Sequence, residues 1–257
     1  MEMARRIRNL INPSFILATV TLTLIAILWE LSVRSAELTK LFIPPPTAII
    51  KEIPVIFGDF LSYSAYTLSM YALSLTIVIG LGSAIGLLMG TRKYLREVLN
   101  PIVGIMLVIP KVALIPLVTL WLGYTDRAVI FFGILLGIFP LILNVTAGVK
   151  QTTPEHVLLA KASGHSTLAI YKKIILPAIT PYFFTGLFFG SHATQIGVVF
   201  MELKYGLKGL GYLLLLYQQS FNEAAVFALV GLFALILLGL NVTLWYLSRY
   251  YDRWRME

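Results

Sequence analysis

The stretch AVIFFGILLGIFPLILNVTAGV, residues 128–149, contains no charged side chain. A helix of this length is about 33 Å long, enough to cross the hydrocarbon core of a bilayer, which is about 30 Å thick. The composition of the whole chain is similar, because 58% of its 257 residues are hydrophobic and only 12% are charged. The sequence therefore predicts an all-α, polytopic membrane protein without a sizeable soluble domain.

Apolar segments of this kind recur along the chain. Those long enough to be membrane spans cover residues 15–31, 62–90, 101–122, 128–149, 181–201 and 224–247. The first could be a signal peptide, but Trp29 and Glu30 are poor neighbours for a cleavage site, which favours an uncleaved helix. Between the first two segments, the three prolines of LFIPPPTAIIKEIPVIF, residues 41–57, predict extended chain at an interface. We expect one transmembrane domain over residues 1–257 with about six helices.

The distribution of basic residues predicts the orientation. If the N-terminus is inside, thirteen of the 20 Lys and Arg residues lie on the inner side, six lie on the outer side, and Lys111 lies within a span. Cytoplasmic loops of membrane proteins are enriched in Lys and Arg, so we expect both termini in the cytoplasm. The net charge of +8 is explained by this topology, and no nucleic acid partner is expected. The absence of cysteine excludes disulfides and thiolate metal sites.

The longest inner connection, residues 150–176, is predicted to form two short helices. In the first, Thr153 can cap the N-terminus, Pro154 suits the first helical position, and Glu155 complements the helix dipole. Gly164 suits a left-handed residue that ends this helix. The loop is therefore predicted to be compact.

The second short helix is predicted from Ser166, which can act as its N-cap. Ile170 and Ile174 share a face, Lys172 and Lys173 lie near the C-terminus, and Pro177 stands where the helix must stop or bend. The residues alone allow two interpretations: a docking surface for another protein, or an amphipathic loop that rests on lipid headgroups.

The segment LLAKASGHSTLAIYKKIILPAITPYFFTGL, residues 158–187, resembles the cytoplasmic loop of binding-protein-dependent ABC importer permeases. The family pattern is Glu-Ala-Ala, a glycine four residues after the second alanine, and a hydrophobic-Leu-Pro ending. Ala160, Gly164, Leu176 and Pro177 match this pattern. Leu158 and Leu159 depart from it, because the family usually has glutamate and alanine there.

Further segments, in the same order, are similar to the subfamily that imports nitrate, aliphatic sulfonates, taurine, bicarbonate or thiamine precursors. They are LFIPPPTAII, GSAIGLLMG, IPKVALIPLVTLWLG, FFGILLGIFPLILNVTAGV and GLKGLGYLL. The resemblance covers roughly residues 41–214. It implies a type I importer permease in the inner membrane of a prokaryote, paired with a second permease copy or a similar chain. It also implies two ABC ATPase subunits and an external substrate-binding protein.

The resemblance further implies that the loop sits in a groove of the ATPase. The residues expected to couple there are Glu155, Leu158, Leu159, Ala160, Lys161, Gly164, Ile170, Lys172, Lys173 and Pro177. With leucine at 158 we expect an apolar contact, oriented by the lysines. The chain has no glycine-rich loop ending in Gly-Lys-Ser/Thr, so ATP hydrolysis is expected in a separate subunit and no cofactor is expected here.

Polar residues within the spans are candidates for a translocation path. Lys111 lies between Pro110 and Pro116, and it either lines the path and attracts an anion, or bonds to freed carbonyls or a carboxylate. Ser191, Thr194 and Gln195 share a face with His192 beside them, and this face either lines the path or joins helices. Glu202 belongs to an outer gate or to a solvated helix end.

The sequence favours an ATP-driven importer of a small anionic or polar solute over two other classes of function. A self-sufficient secondary transporter or channel would be expected to carry carboxylates within its spans, and often repeated halves. An enzyme would need paired carboxylates, clustered histidines or an activated nucleophile. His156 and His165 lie in the loop and His192 stands alone, so no catalytic or metal-binding residue is expected.

Overall fold

The computed structural model describes residues 13–35, 42–152, 154–206 and 208–252, and these form helices and no strand. The α-helices are α1 (Pro13–Ser35), α2 (Pro46–Thr91), α3 (Lys93–Val108), α4 (Ile115–Leu122), α5 (Asp126–Gln151), α6 (Pro154–Ala162), α7 (Thr167–Ile170), α8 (Leu176–Tyr205), α9 (Leu210–Gln219) and α10 (Glu223–Asp252). A 3-10 helix (Lys111–Leu114) precedes α4, and a π-helical turn (Tyr171–Ile175) joins α7 to α8.

The prediction of an all-α membrane protein with about six helices is confirmed in kind, with five or six candidate spans among the described residues. Within the described ranges, five helical segments are long and apolar enough to cross a membrane, and α3 with α4 adds a sixth if this bent pair is one span. These segments contain or overlap each of the six apolar stretches read from the sequence. The all-α polytopic fold is therefore the observed one.

The proline-rich segment differs from its prediction. Only Pro44 and Pro45 lie outside helix, and α2 begins at Pro46 and continues past Pro54 to Thr91. Proline is tolerated at the first helical position because the N–H that it lacks has no partner there in any case. The prediction of extended chain over residues 41–57 was therefore wrong for most of the segment. At 46 residues, α2 is about 69 Å long, well beyond the thickness of a hydrocarbon core.

The third predicted span is broken rather than straight. Helix α3 ends at Val108, Ile109 is extended with ψ 128°, and the chain bends by 93° between the helical segments on either side of Ile109 and Pro110. Pro110 donates no backbone hydrogen bond and disfavours helical geometry at the residue before it. Pro116 lies in the first turn of α4, where its missing N–H is harmless.

The described chain divides into two compact units. The first comprises Met1–Asp59 and Leu216–Leu232, and the second comprises Phe60–Leu215 and Phe233–Glu257. In the first unit, Glu30 accepts hydrogen bonds from the backbone N–H and the hydroxyl of Thr47, at 3.0 and 2.8 Å. The prediction of a single transmembrane domain over residues 1–257 stays a prediction.

In the second unit, α5 is the central helix and packs most extensively on α8. On its other side, Gly82, Gly86 and Gly90 of α2 repeat every four residues. They face Leu141, Val145 and Val149 of α5, which repeat at the same interval. Small residues at such spacing let two helix backbones approach closely in a membrane.

Candidate coupling surface and translocation path

The first loop helix, α6, ends in the left-handed turn that the sequence predicted. Gly164 has φ +75°, its N–H donates to the Lys161 carbonyl at 3.0 Å, and the His165 N–H donates to the Ala160 carbonyl at 3.0 Å. These two bonds satisfy carbonyls that would otherwise lack a donor at the helix end. Thr153 and the side chain of Glu155 lie outside the described residues, so their predicted roles stay predictions.

The second loop helix begins as predicted but does not stop at Pro177. The Ser166 hydroxyl caps α7 by accepting from the Ala169 N–H at 3.3 Å. The chain then passes through the π-helical turn and continues directly into α8. Pro177 cannot donate a hydrogen bond to the preceding turn, and the wider π-helical turn just before it accommodates this. The helix therefore continues through Pro177.

One face of the loop packs onto the ends of the spanning helices. Ala160, Ile170 and Ile175 are buried, and they form one cluster with Val149 of α5 and Ile179 of α8. Ala160 and Ile170, which were predicted to couple, therefore face the body of the protein rather than solvent. Their position makes the loop a firm extension of α5 and α8.

The opposite face of the loop is apolar and exposed. Leu158, Leu159 and Leu168 are 64%, 67% and 64% exposed. Of these three, Leu158 and Leu159 were predicted to couple and Leu168 was not. The predicted coupling residues that are exposed as well are Lys161, Gly164, Lys172, Lys173 and Pro177. A groove of about 800 Å³ runs beside them, lined in part by Leu159, His165 and Lys173. The loop therefore exposes three large apolar side chains that a partner protein could cover.

The polar face of α8 points into the second unit, as its sequence required. Ser191 and Thr194 are fully buried and Gln195 is nearly so. The hydroxyls of Ser191 and Tyr71 are 2.7 Å apart, and the Thr194 hydroxyl donates to the Gly190 carbonyl at 2.8 Å. Within the described residues, Nε2 of Gln195 has no hydrogen-bond partner. In this conformation Ser191 joins two helices and is not exposed to a channel.

His192 connects α8 to α10. Its Nε2 lies 3.0 Å from Nδ2 of Asn241, and its Nδ1 lies 2.8 Å from the Phe188 carbonyl oxygen. His192 therefore joins the Asn241 side chain of α10 to the backbone of α8 through both ring nitrogens.

Glu202 is fully buried, which rules out a solvated helix end. Its Oε2 accepts hydrogen bonds from the Thr67 hydroxyl at 2.9 Å and from the Gly211 N–H at 3.0 Å, and the Thr67 oxygen accepts from the Leu210 N–H at 2.8 Å. Gly209, with φ +96°, lies so close that a Cβ there would collide with the carboxyl group. The Glu202 carboxyl thus ties α2, α8 and the start of α9 together.

Lys111 begins the 3-10 helix at the 93° bend and is half-buried. Its Nζ lies 5.8 Å from the centre of the Phe139 ring in α5. A cation–π contact at this distance contributes about 0.5–1 kcal/mol, or about 2 kcal/mol where water is excluded. Placing a lysine at the centre of a span costs about 2.5–3.5 kcal/mol on insertion scales. The ring therefore offsets only part of the cost.

Residues 76–256 match the family model described as "Binding-protein-dependent transport system inner membrane component". This match covers most of the chain. The chain belongs to this family of inner membrane transport components.

The permease also has characterised relatives along most of its length. It is 27% identical to the formylaminopyrimidine transport permease protein ThiX of Halalkalibacterium halodurans, over 86% of this chain and 88% of the relative. It is 25% identical to the nitrate import permease protein NrtB of Synechocystis, over 88% and 86%. It is 26% identical to the taurine transport system permease protein TauC of Escherichia coli, over 92% and 89%. The permease is thus a multi-pass transport component and not a catalytic enzyme.

Two partners of the candidate path residues in the permease were missed by sequence reasoning. Thr67 and Tyr71 of α2 bond to Glu202 and Ser191, which are 135 and 120 residues away in the chain. The signal available in the sequence was the four-residue spacing of Thr67 and Tyr71, which places both on one helix face. Lys111 is separate from this network: among the described residues, it makes no hydrogen bond or ion pair with the polar face of α8.

Proposed function

We propose that this permease forms the membrane path for a small anionic or polar solute in an ATP-driven importer. The α6–α7 loop, Pro154–Ile170, would couple it to a separate ABC ATPase. The observation that carries the proposal is the two-sided loop: its inner face is packed into the membrane body, and its outer face exposes Leu158, Leu159 and Leu168. Membership of a binding-protein-dependent transport family supports the same assignment.

The loop is suited to transmit motion because it is firmly attached. Ile170 and Ile175 pack with Val149 and Ile179, which belong to the spanning helices α5 and α8. A displacement of the loop by a partner would therefore move the ends of both helices, since packed cores shift between discrete arrangements rather than deform continuously. Coupling would use this rigid connection.

The partners in this proposal follow the importer assignment. We propose two ATPase subunits, a second copy of this chain or a similar permease, and an external substrate-binding protein. The loop and both termini would face the cytoplasm, as the excess of Lys and Arg on that side supports. Coupling residues would be the exposed members of the predicted set, and Ala160 and Ile170 would hold the loop in place.

The path would involve the polar residues of the spans. The residues proposed to line or gate it are Lys111, Ser191, His192, Thr194, Gln195 and Glu202. Because Ser191, Thr194 and Glu202 are buried here, they would meet the solute only when α2 and α8 separate. In that opening, release of the Glu202 carboxyl from Thr67 and Gly211 would act as an outer gate.

The names of the relatives bear on the solute. Nitrate is a small anion, taurine carries a sulfonate, and formylaminopyrimidine is a compact polar heterocycle. We propose a solute of this size range, and the charge of the solute is taken up in the next subsection.

The test is to co-express the chain with an ABC ATPase encoded beside it, isolate the complex, and compare Leu158→Lys with Leu158→Met. A lysine in an apolar contact is left desolvated, so Leu158→Lys should weaken ATPase association by about tenfold or more. Leu158→Met retains apolar volume and should bind normally. Uptake that continues without any ATPase would overturn the proposal and favour a secondary transporter or channel.

A further inference from the structure

The broken third span places a lysine inside the membrane with a free ammonium group. We propose that Lys111 is the binding site for a negatively charged group of the transported solute, at the middle of the membrane. This inference rests on the proposed function and narrows its solute class to anions, including solutes that carry a carboxylate, sulfonate or similar group.

The depth of Lys111 follows from its neighbour. Phe139 lies in the middle of α5, about 20 Å from Asp126 and about 18 Å from Gln151 at 1.5 Å per residue. The Lys111 Nζ is 5.8 Å from the Phe139 ring centre, so it is close to halfway along a spanning helix. The ammonium group at the end of the side chain therefore lies within the hydrocarbon core, which is about 30 Å thick, and not in a headgroup region.

The ammonium group is available for a ligand. A lysine ammonium has three donors, yet among the described residues Nζ makes no hydrogen bond and no carboxylate oxygen lies within 4.0 Å. The structural alternative, a lysine bonded to freed carbonyls or a carboxylate, is therefore not what the structure contains. The fully buried carboxylate of the described residues, Glu202, is already bonded to Thr67 and Gly211.

The bend places Lys111 where the helical backbone is interrupted. The 93° break at Pro110 ends α3, so Lys111 starts a new segment instead of pointing along a continuous helix. Broken helices within a membrane are tolerated where they face protein or line a water-filled cavity. A permanent carboxylate would neutralise Lys111 and close the site, whereas an anionic solute can pair with it and leave.

This assignment predicts that the site selects solutes by their charge. An anion pairs with the ammonium at low dielectric, a cation is repelled, and an uncharged solute gains no ionic contact. Arginine would retain the charge at this position, whereas methionine would retain most of the apolar volume without it.

The first experiment uses the fact that the chain contains no cysteine. Lys111→Cys, in the permease–ATPase complex in proteoliposomes, is treated with the anionic, membrane-impermeant reagent sulfonatoethyl methanethiosulfonate. Leu24→Cys is the matched control, because Leu24 is an exposed apolar residue within the first spanning helix. We expect Lys111→Cys to react at least about tenfold faster, since thiolates form in water and not in hydrocarbon. A Lys111→Cys that reacts as slowly as Leu24→Cys would overturn the site.

The second experiment measures ATP-dependent uptake of nitrate, taurine and formylaminopyrimidine, the last of which carries no anionic group. Loss of one charge-assisted contact should lower anion uptake at low concentration by about tenfold or more in Lys111→Met, and Lys111→Arg should retain most of it. Lys93→Met is the control, because Lys93 is exposed and its nearest carboxylate is that of Glu97, 3.8 Å away.

The outcomes separate this inference from the importer assignment. ATP-dependent anion uptake that is unchanged in Lys111→Met, or uptake of formylaminopyrimidine alone, would overturn the anion site and leave the importer intact. Uptake that needs no ATPase would overturn the importer itself.

Discussion

At the scale of single residues, the buried carboxyl group of Glu202 depends on its hydrogen bonds. A buried carboxyl group is unfavourable unless it is hydrogen-bonded, and here the Thr67 hydroxyl and the Gly211 N–H both donate to it. The Thr67 hydroxyl donates to Glu202 and at the same time accepts from the Leu210 N–H. Since Thr67 is itself only 3% exposed, neither bond can be replaced easily by water.

Thr67→Val should therefore destabilise the permease. Valine has nearly the same shape but leaves the buried Leu210 N–H without its acceptor, at a cost of about 1–3 kcal/mol, and removes one of the two hydrogen bonds to Glu202 Oε2. The measurement is thermal denaturation of the purified protein in detergent, where a lower Tm is expected. Thr67→Ser retains the hydroxyl and should melt close to the wild type. Equal melting of Thr67→Val and wild type would contradict this role of the hydroxyl.

At the scale of helices, the contact between α2 and α5 depends on glycine. A Cβ added at Gly86 would lie 2.7 Å from the Val145 Cβ and 3.0 Å from the Ile142 carbonyl oxygen. Both atoms are close to the backbone of α5, so relief requires the helices to move apart. Gly80, on the same helix, has no atom within 4 Å of such a Cβ.

Gly86→Ala and Gly80→Ala form a matched pair for this contact. Both substitutions gain the same helix propensity of about 1 kcal/mol, but only Gly86→Ala overpacks the interface, at a cost of about 1–3 kcal/mol. We expect a lower Tm and lower uptake for Gly86→Ala, with Gly80→Ala equal to or above the wild type. If the two variants melt together, the close approach of α2 and α5 is not important for stability.

At the scale of the whole molecule, the proposed orientation sets the two ends of α5 on opposite sides of the membrane. The loop that carries Leu168 follows the C-terminal end of α5, and Arg127 lies in the first turn at its N-terminal end. The excess of Lys and Arg predicts that the loop faces the cytoplasm, and this orientation is required if an ATPase is to reach it.

The orientation can be measured on single-cysteine variants, because the chain has no cysteine of its own. Leu168→Cys and Arg127→Cys both place the thiol at an exposed position. With a membrane-impermeant maleimide, Arg127→Cys should be labelled in intact cells, and Leu168→Cys only after the membrane is permeabilised. The reverse pattern would place the loop outside and remove the basis for coupling.

The sequence by itself determined the properties that depend on neighbouring residues. Long apolar runs with few or no charged residues identified the spans, because each charge placed in hydrocarbon adds its own cost. Gly164 predicted the left-handed turn that ends α6, and Ser166 predicted the N-cap of α7, since backbone conformation and capping depend on neighbouring residues. The resemblance in the loop and spans also pointed to the family that the comparison then showed.

Only the tertiary structure decided which groups meet. It buried Ala160 and Ile170, joined Glu202 to Thr67 across 135 residues, and set Lys111 against Phe139 without a carboxylate among the described residues nearby. It also began α2 at Pro46 and bent the third span by 93°. Pairing between distant segments depends on how helices pack, and hydropathy along one chain does not contain that information.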